Sequence, residues 1–262
     1  MEKSPSLSQD KGRLYIVGTG PGDIDHMTPA AIGAIKESDY VIGNSLYIEM
    51  LEPLLEGKEV IKSTMGEEID RAKKAAELSK SAVVSIVSGG DPGVYGMAGI
   101  VLEMLERTGY EANVEVIPGV TAATAAASLL GSPLSGDHVT ISLSNLLTPW
   151  EVIEKRLELA FSMGVPVAIY NPKSRGRPHN FGIAMDIALK KLSPDTPVGI
   201  VKDAYRDGEQ LIITKLGDIS MDDEAVDMHS IVIVGGEESR IWRSVNAERI
   251  ITPRGYHRKY IY

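Results

Sequence analysis

Short apolar runs alternate with longer amphipathic segments along most of this chain, and the alternation predicts an α/β protein. Runs of four to six residues rich in Val and Ile, such as 82–87 and 165–170, are typical of buried strands. Residues 67–78 carry their apolar side chains at helical spacing. Thr28 followed by Pro29 supplies an N-cap and a proline at the first helical position. Strands that alternate with helices indicate parallel sheets.

The same pattern predicts two α/β domains with short tails. Residues 131–136 are rich in Gly, Ser and Pro and are interpreted as a domain connector. The predicted regions are a disordered tail at 1–12, an N-terminal domain at 13–134, a C-terminal domain at 135–250 and a basic tail at 251–262. Predicted strands lie at 14–17, 40–42, 82–87, 114–117, 139–143, 165–170, 197–201, 210–215 and 230–234, and predicted helices at 28–37, 67–78, 98–107, 121–130, 150–163 and 181–191.

Composition and charge exclude several classes of function. The 262 residues are 43% hydrophobic and 24% charged, which is typical of a globular protein, and no apolar run is long enough to span a bilayer. The chain has no cysteine, so disulfides, thiolate catalysis and cysteine metal sites are excluded. Without a signal-peptide pattern, we expect the cytoplasm. A net charge of −9 argues against a nucleic-acid partner, and the scattered histidines predict no metal site.

Three glycine-rich turns follow predicted strands: the first glycine turn at 18–23, the second at 88–96 and the third at 117–122. Ligands of open α/β sheets bind outside the carboxyl ends of the strands. Gly18 and Gly20 have the spacing of a dinucleotide-binding turn, but Asp23 stands where the third glycine is required, which disfavours a nucleotide-dependent oxidoreductase. Asp23 is interpreted either as a group that positions or deprotonates substrate, or as a helix N-cap.

A loop rich in cations, residues 170–179, follows another predicted strand and is called the basic loop. Its sequence is Tyr-Asn-Pro-Lys-Ser-Arg-Gly-Arg-Pro-His. One interpretation is a solvated surface loop. The other is a site for a ligand that carries several carboxylates or phosphates, which clustered Lys and Arg bind well.

The three glycine turns, GTGPGD, SGGDPGVYG and IPGVTA in that order, resemble the tetrapyrrole methylase family. The further elements YNPKSRGRP (170–178), VKDAYRDGEQ (201–210) and RGY (254–256) are similar to the branch of that family that methylates C17 of precorrin-3B or cobalt-factor III in cobalamin synthesis. The likeness covers nearly the whole chain after Gly12. The chain departs from the branch at Lys202, Asp203 and Ala204, where an arginine-asparagine type of sequence is usual.

The resemblance implies two α/β domains of the tetrapyrrole methylase type with the active-site cleft between them, and a homodimer. It implies S-adenosylmethionine as cofactor, S-adenosylhomocysteine as product, no protein-bound metal, and a tetrapyrrole substrate that is methylated with ring contraction to (cobalt-)precorrin-4. The implied cofactor residues are Pro21, Gly90, Asp91, Val94, Tyr95, Thr121, Ala122, Tyr170, Asn171 and Ala204. The implied substrate residues are Gly20, Asp23, Lys173, Arg175 and Arg177, with Pro21 also facing the tetrapyrrole, and the candidate catalytic residues are Asp23 and His179, with Tyr95 as a further candidate for proton transfer.

Two other functions stay open on the sequence. A sibling methyltransferase acting at C11 or C20 would share the three glycine turns, and only the basic loop argues against it. A non-catalytic tetrapyrrole-binding protein would not need the second and third glycine turns together.

Overall fold

The computed structural model describes residues 12–219 and 225–261, and it confirms the predicted α/β class. The chain divides into two compact units that meet along the sequence at Thr121 and Ala122, and each is described by itself. The predicted domain limits at 13–134 and 135–250 stay predictions. The predicted tail at 1–12 lies outside the described residues except for Gly12, as does Tyr262 in the predicted basic tail. Within the described ranges, no helix combines the length and the apolar character needed to cross a bilayer.

The first unit contains a five-stranded sheet in which every neighbouring pair is parallel. The strand order is β3-β2-β4-β1-β5, so the first strand of the described residues lies inside the sheet. Its elements are β1 (Arg13–Gly18), α1 (Pro29–Glu37), β2 (Tyr40–Asn44), α2 (Ser45–Met50), β3 (Glu59–Ser63), α3 (Glu68–Leu78), β4 (Val83–Ser88), α4 (Met97–Thr108) and β5 (Val114–Ile117).

Helices cover both faces of this sheet, because successive side chains of a strand point to opposite sides. Leu14 and Ile16 of β1 pack in one apolar cluster with α3 and α4. Tyr15 and Val17 pack in a second cluster with α1 and α2. Strand β1 is buried along nearly its whole length, which explains its continuous apolar sequence.

The second unit contains a five-stranded mixed sheet and a small three-stranded sheet. In the larger sheet, ordered β10-β9-β11-β8-β7, only β7 and β8 run parallel, whereas the other neighbours are antiparallel. Its elements are α5 (Ala122–Leu130), β6 (Gly131–Ser132), β7 (Val139–Ser142), α6 (Trp150–Ser162), β8 (Val167–Tyr170), α7 (Asn180–Leu189), β9 (Pro197–Lys202), β10 (Gln210–Lys215), β11 (Ser230–Val234), β12 (Arg240–Arg243) and β13 (Glu248–Ile251).

Helices α6 and α7 cover one face of the mixed sheet, where Val198 and Ile200 belong to the main apolar cluster. Helix α5 covers the other face. Gly199 lies between those two residues and so faces the opposite way, and a Cβ there would lie 2.4 Å from the side chain of Leu130. The absence of a side chain at Gly199 therefore lets α5 approach the sheet closely.

The predicted elements are found within a few residues of their predicted limits, with differences in orientation and number. The parallel sheet expected throughout is confirmed in the first unit but is mixed in the second, where β9, β10 and β11 follow one another with no α-helix among the residues described between them. Residues 131–132 of the predicted connector form strand β6, which pairs with β13. Elements without a sequence prediction are α2, β3, β12 and β13.

Candidate active site

The first two glycine turns of the first unit are joined by a pair of backbone hydrogen bonds. The amide of Gly20 donates to the carbonyl of Gly90 over 3.1 Å, and the amide of Gly90 donates back over 2.8 Å. Both residues have a left-handed backbone, with φ of +72° and +68°, which favours glycine. Because β1 and β4 are neighbours in the sheet, these turns form one surface at the carboxyl edge.

The third glycine turn joins the same surface through Asp91. One carboxylate oxygen of Asp91 accepts from the amide of Gly119 at 3.0 Å, and the other accepts from the amide of Gly93 at 2.8 Å. A Cβ on Gly119 would lie 2.2 Å from the carbonyl oxygen of Gly90, so the two backbones touch. A carboxylate has about four lone-pair sites, so Asp91 can hold both amides and still accept from a ligand.

The second glycine turn continues into an open stretch of backbone. A Cβ at Gly93 would meet only the Asp91 carboxylate, at 3.2 Å. Val94 is half-buried, and Tyr95 is 56% exposed with a φ of +53°. The turn thus presents small, accessible backbone next to a strained aromatic residue.

Asp23 caps the short 3₁₀ helix at Ile24–His26, which is the capping role considered for it in the sequence. Its Oδ1 accepts from the backbone amide of His26 at 3.0 Å and lies 2.5 Å from Nδ1 of the same residue. Asp23 is exposed and His26 is half-buried. This carboxylate–imidazole pair was not predicted, although the three-residue spacing at a helix start is a signal for it. The predicted catalytic role of Asp23 stays a prediction.

In the second unit, the hydroxyl of Tyr170 holds the start of helix α5. It accepts from the amide of Ala123 over 2.8 Å, so it satisfies one of the unpaired amides at the helix N-terminus. Tyr170 is buried at the end of β8, and Ala122 begins the helix. The next residue, Asn171, has a φ of +50° and donates from Nδ2 to Ser142 Oγ at 3.0 Å. Three predicted cofactor residues, Ala122, Tyr170 and Asn171, are thus connected through one hydrogen bond and neighbouring positions in the chain.

Ala204 lies in a tight turn between two residues with left-handed backbones. The φ of Asp203 is +48° and that of Tyr205 is +58°. The Tyr205 hydroxyl forms a 2.7 Å hydrogen bond with Ser128 of α5, and its amide donates to Glu209 at 2.8 Å. Helix α5 is therefore bonded both to the last residue of β8 and to the turn after β9. The sequence does not single out Tyr205, since no pattern predicts a positive φ at tyrosine.

The basic loop contains a compact turn and an exposed tip. Backbone bonds join Ser174 and Arg177, and Arg177 Nε donates to Ser174 Oγ at 3.1 Å. Burial lowers the pKa of the Arg177 guanidinium from its ordinary value, and its Nη1 is buried without a partner among the described residues. Arg175 lies at the exposed tip, Lys173 is half-buried, and His179 is exposed just before α7. Two of the three cations thus remain accessible, and the third shapes the loop.

Backbone strain is concentrated at the predicted site. Among the described residues, the non-glycine positions with positive φ are Tyr95, Asn171, Asp203 and Tyr205. All four lie in turns that carry predicted cofactor residues. Such conformations cost about 1–3 kcal/mol each, persist where the surrounding structure holds them, and cluster at functional sites.

A charged cluster at the ends of β9 and β11 supports the Ala204 turn. Lys202 Nζ lies 2.7 Å from Asp227, and His229 Nδ1 lies 3.2 Å from Asp203. Burial alone would raise the pKa of Asp227, but the hydrogen bond from Lys202 and the amide of His229 lower it overall. The same bond raises the pKa of Lys202. Lys202 and Asp203 are residues at which the sequence departs from the branch pattern. In the structure Lys202 pairs with Asp227, and Asp203 pairs with His229.

The residues described in the two units do not include a group of three or more His, Asp or Glu side chains that could hold a metal ion. The prediction about a protein-bound metal stays a prediction.

The fold and its turns define the class of protein. Two α/β units, with glycine turns at the carboxyl ends of adjacent parallel strands in the first, are typical of proteins that bind small molecules. Residues 13–220 match the model of the tetrapyrrole (corrin/porphyrin) methylases, and the chain belongs to that family. The predicted family is therefore confirmed.

Several relatives are similar over nearly the whole chain. A cobalamin biosynthesis protein CbiHC of Archaeoglobus fulgidus is 45% identical over 97% of this chain and 55% of its own length. A probable cobalt-factor III C(17)-methyltransferase of Salmonella typhimurium is 44% identical over 93% of this chain and 99% of its own. The crystal structure of the methyltransferase CobJ is 32% identical, with a TM-score of 0.83 over 92% of this chain and 100% of that one. The chain spans about half the length of the Archaeoglobus protein and of a second curated relative.

Proposed function

We propose that this protein is an S-adenosylmethionine-dependent methyltransferase that methylates C17 of precorrin-3B or cobalt-factor III with ring contraction, giving (cobalt-)precorrin-4. The observation that carries the proposal is the junction of three glycine turns through Gly20, Gly90, Asp91 and Gly119. Family membership supports methyl transfer. The Salmonella relative, matched over nearly its full length and named for C17 methylation, supports the position.

The proposed cofactor contacts lie in both units. In the first unit they are Pro21, Gly90, Asp91, Val94, Tyr95 and Thr121, and in the second they are Ala122, Tyr170, Asn171 and Ala204. The residues fit such a group, because the backbone at Gly93 is open and Asp91 retains acceptor sites for an ammonium or hydroxyl donor. Bound S-adenosylmethionine supplies a methyl group whose bond to sulfur breaks with the electrons left on sulfur, and S-adenosylhomocysteine is the product.

The proposed role of the basic loop is to hold the carboxylates of the macrocycle. Lys173, Arg175 and Arg177 are the proposed contacts, and Arg177 also donates to Ser174 within the loop. The whole chain carries a net charge of −9 and repels an anionic substrate, so a local cluster of cations is required to bind it. Gly20, Pro21 and Asp23 of the first glycine turn are the further proposed substrate contacts.

The proposed proton-transfer group is Asp23 together with His26. An imidazole held at 2.5 Å by a carboxylate is the usual arrangement for taking and returning a proton. Ring contraction requires such transfers, because a ring carbon is extruded from the macrocycle as an acetyl group. His179 is a second proposed group, since it is exposed beside the cations of the basic loop. Tyr95 remains a third.

We also propose that the protein acts as a homodimer in the cytoplasm and has no nucleic-acid partner. The family resemblance supports the dimer, and the net charge of −9 supports a small-molecule partner rather than nucleic acid. The alternative function is a sibling methyltransferase acting at C11 or C20. It retains the glycine turns, and only the basic loop and the named relatives disfavour it.

Calorimetry and product analysis test the proposed function. S-adenosylhomocysteine should bind, and its failure to bind would refute the methyltransferase function. Incubation with S-adenosylmethionine and either precorrin-3B or cobalt-factor III, followed by mass and absorbance analysis, should show one added methyl group at C17 and a contracted ring. Methylation at another carbon would instead establish the sibling activity. Light scattering coupled to size-exclusion chromatography measures the oligomeric state and should give the mass of a dimer.

A further inference from the structure

Two leucines stand out on the surface of the second unit. Leu146 and Leu147 are 83% and 89% exposed, and both lie in the turn at 143–149 between β7 and α6, here called the leucine turn. Single exposed apolar residues are common, but adjacent ones projecting from an irregular turn at a sheet edge point to a contact surface. The neighbouring Trp150 packs against the core, so the start of α6 fixes one end of the turn.

The leucine turn and the basic loop lie side by side. They leave the sheet from paired residues, since Ser142 of β7 is opposite Tyr170 of β8 in a parallel pair. Asn171 Nδ2 donates to Ser142 Oγ at 3.0 Å, and Asn180 Nδ2 donates to the carbonyl of Leu143 at 2.8 Å. These bonds join the two segments at both ends of the basic loop. The segments then continue into α6 and α7, which pack against each other.

The sequences of the two segments combine apolar and cationic residues. Neither the leucine turn nor the basic loop contains an Asp or Glu, in a chain that has 36 of them. Exposed leucines beside accessible Lys173 and Arg175 suit a ligand with a broad apolar surface and carboxylates along its rim. A protein partner of ordinary acidic surface would match the cations but not the adjacent leucine pair.

We propose that Leu146 and Leu147 form an apolar platform for one face of the tetrapyrrole macrocycle, whose side-chain carboxylates are held by Lys173 and Arg175. The inference rests on the proposed function and adds the ring contact to it. The platform binds substrate and makes no contribution to cofactor affinity, because its residues lie outside the glycine turns and outside the turn at Ala204.

The test compares a platform variant with a matched control. L146Q/L147Q removes the apolar surface and keeps the size of the side chains, and L159Q makes the same change at a leucine of α6 that is 60% exposed. We expect cobalt-factor III to bind about tenfold or more weakly to L146Q/L147Q, and to bind L159Q as it binds the wild type. The affinity of S-adenosylhomocysteine should be the same in all three proteins.

Ionic strength distinguishes the apolar contribution of the leucines to macrocycle affinity from the charge contribution of Lys173 and Arg175. The loss caused by L146Q/L147Q should be equally large at low and high ionic strength, whereas the loss caused by K173A/R175A should shrink as salt screens the charges. L146F/L147F, which keeps an apolar surface, should bind cobalt-factor III within about threefold of the wild type. These three results together support the platform.

Several outcomes overturn the inference. Wild-type affinity for cobalt-factor III in L146Q/L147Q would do so, whether or not the variant changes its oligomeric state. A change from dimer to monomer with unchanged macrocycle affinity would assign the leucines to an interface between copies. If L146Q/L147Q also binds S-adenosylhomocysteine more weakly, L146F/L147F distinguishes the two explanations. Equal losses of affinity in both variants would mean that the leucines have a structural role and would overturn the platform. Failure of the wild type itself to bind cobalt-factor III would instead refute the proposed substrate.

Discussion

Substitution of Gly119 by alanine should disrupt the junction of the three glycine turns. The new Cβ would lie 2.2 Å from the carbonyl oxygen of Gly90, more than 1 Å inside the 3.4 Å at which ordinary contact begins. That oxygen belongs to the backbone, and Gly90 is already held by two hydrogen bonds to Gly20. The third turn must therefore move, and the bond from the Gly119 amide to Asp91 is strained or lost.

The expected cost of G119A follows from these two effects. Overpacking typically costs about 1–3 kcal/mol, and a hydrogen bond to a charged group contributes about 1.5–3 kcal/mol. Both effects arise from the same displacement of the third turn, so their costs are not fully additive. We expect the free energy of unfolding to fall by about 2–4 kcal/mol in total. In a chain of this size that lowers the melting temperature by about 5–15 °C. Scanning calorimetry measures the shift, and titration with S-adenosylhomocysteine should show at least about tenfold weaker binding.

The matched control is G99A on helix α4, where a Cβ would have no heavy atom within 4 Å. Alanine in a helix interior is favoured over glycine by about 0.5–1 kcal/mol, so this variant should melt slightly above the wild type and bind the cofactor product equally well. A G119A protein that melts and binds like the wild type would refute the close approach of the turns.

Three further predictions follow from individual contacts. D91N should lower the free energy of unfolding by about 1.5–3 kcal/mol in urea, because an amide has one acceptor oxygen for the two backbone amides that the carboxylate holds. Y170F should cost about 1–2 kcal/mol in the same assay, since the Ala123 amide at the start of α5 loses its acceptor. The Lys202–Asp227 pair should make stability depend on pH at both extremes. The lowered pKa of Asp227 gives stability that is lost as pH falls below about 3.8, and the raised pKa of Lys202 gives stability that is lost above about 10.5.

Each of these predictions has a control of the same chemistry. D137N changes an exposed aspartate, and Y256F changes an exposed tyrosine, so both should unfold like the wild type. D227N should flatten the acid limb of the stability profile more than D195N, which breaks an exposed pair that solvent screens. Equal effects in a variant and its control would contradict the corresponding contact.

The local sequence was sufficient to predict elements whose ends carry their own chemistry. Helix α1 begins after Thr28, which accepts from the amide of Ala31, and Pro29 occupies its first position as expected. Strand β4 was indicated by its β-branched residues and by the glycines that follow. The glycine turns were predicted for the same reason, since close backbone approach requires glycine.

Features that depend on distant pairing were not predictable in this way. Strand β6 has only two residues, and its partner β13 lies more than a hundred residues later in the chain. The direction of β11 depends on its place between β8 and β9 rather than on its own apolar pattern. Tyr205, which has a positive φ, bonds through its hydroxyl to Ser128, a partner 77 residues away in the chain that the local sequence does not indicate. The predicted site residues stay predictions, and the structure adds hydrogen-bond partners that the local sequence does not indicate.

The position of β1 inside its sheet has a consequence for biosynthesis. Both strands that flank it come later in the chain, and β5 follows the end of β1 by about a hundred residues. At about 5–20 residues per second, ribosomes complete β5 roughly 5–20 s after β1. During that interval a strand that is buried along nearly its whole length in the finished protein has at least one unpaired edge. The first glycine turn likewise lacks its contacts with Gly90 and Gly119 until those residues have been synthesised. Cofactor binding therefore cannot assist folding until the first unit is nearly complete.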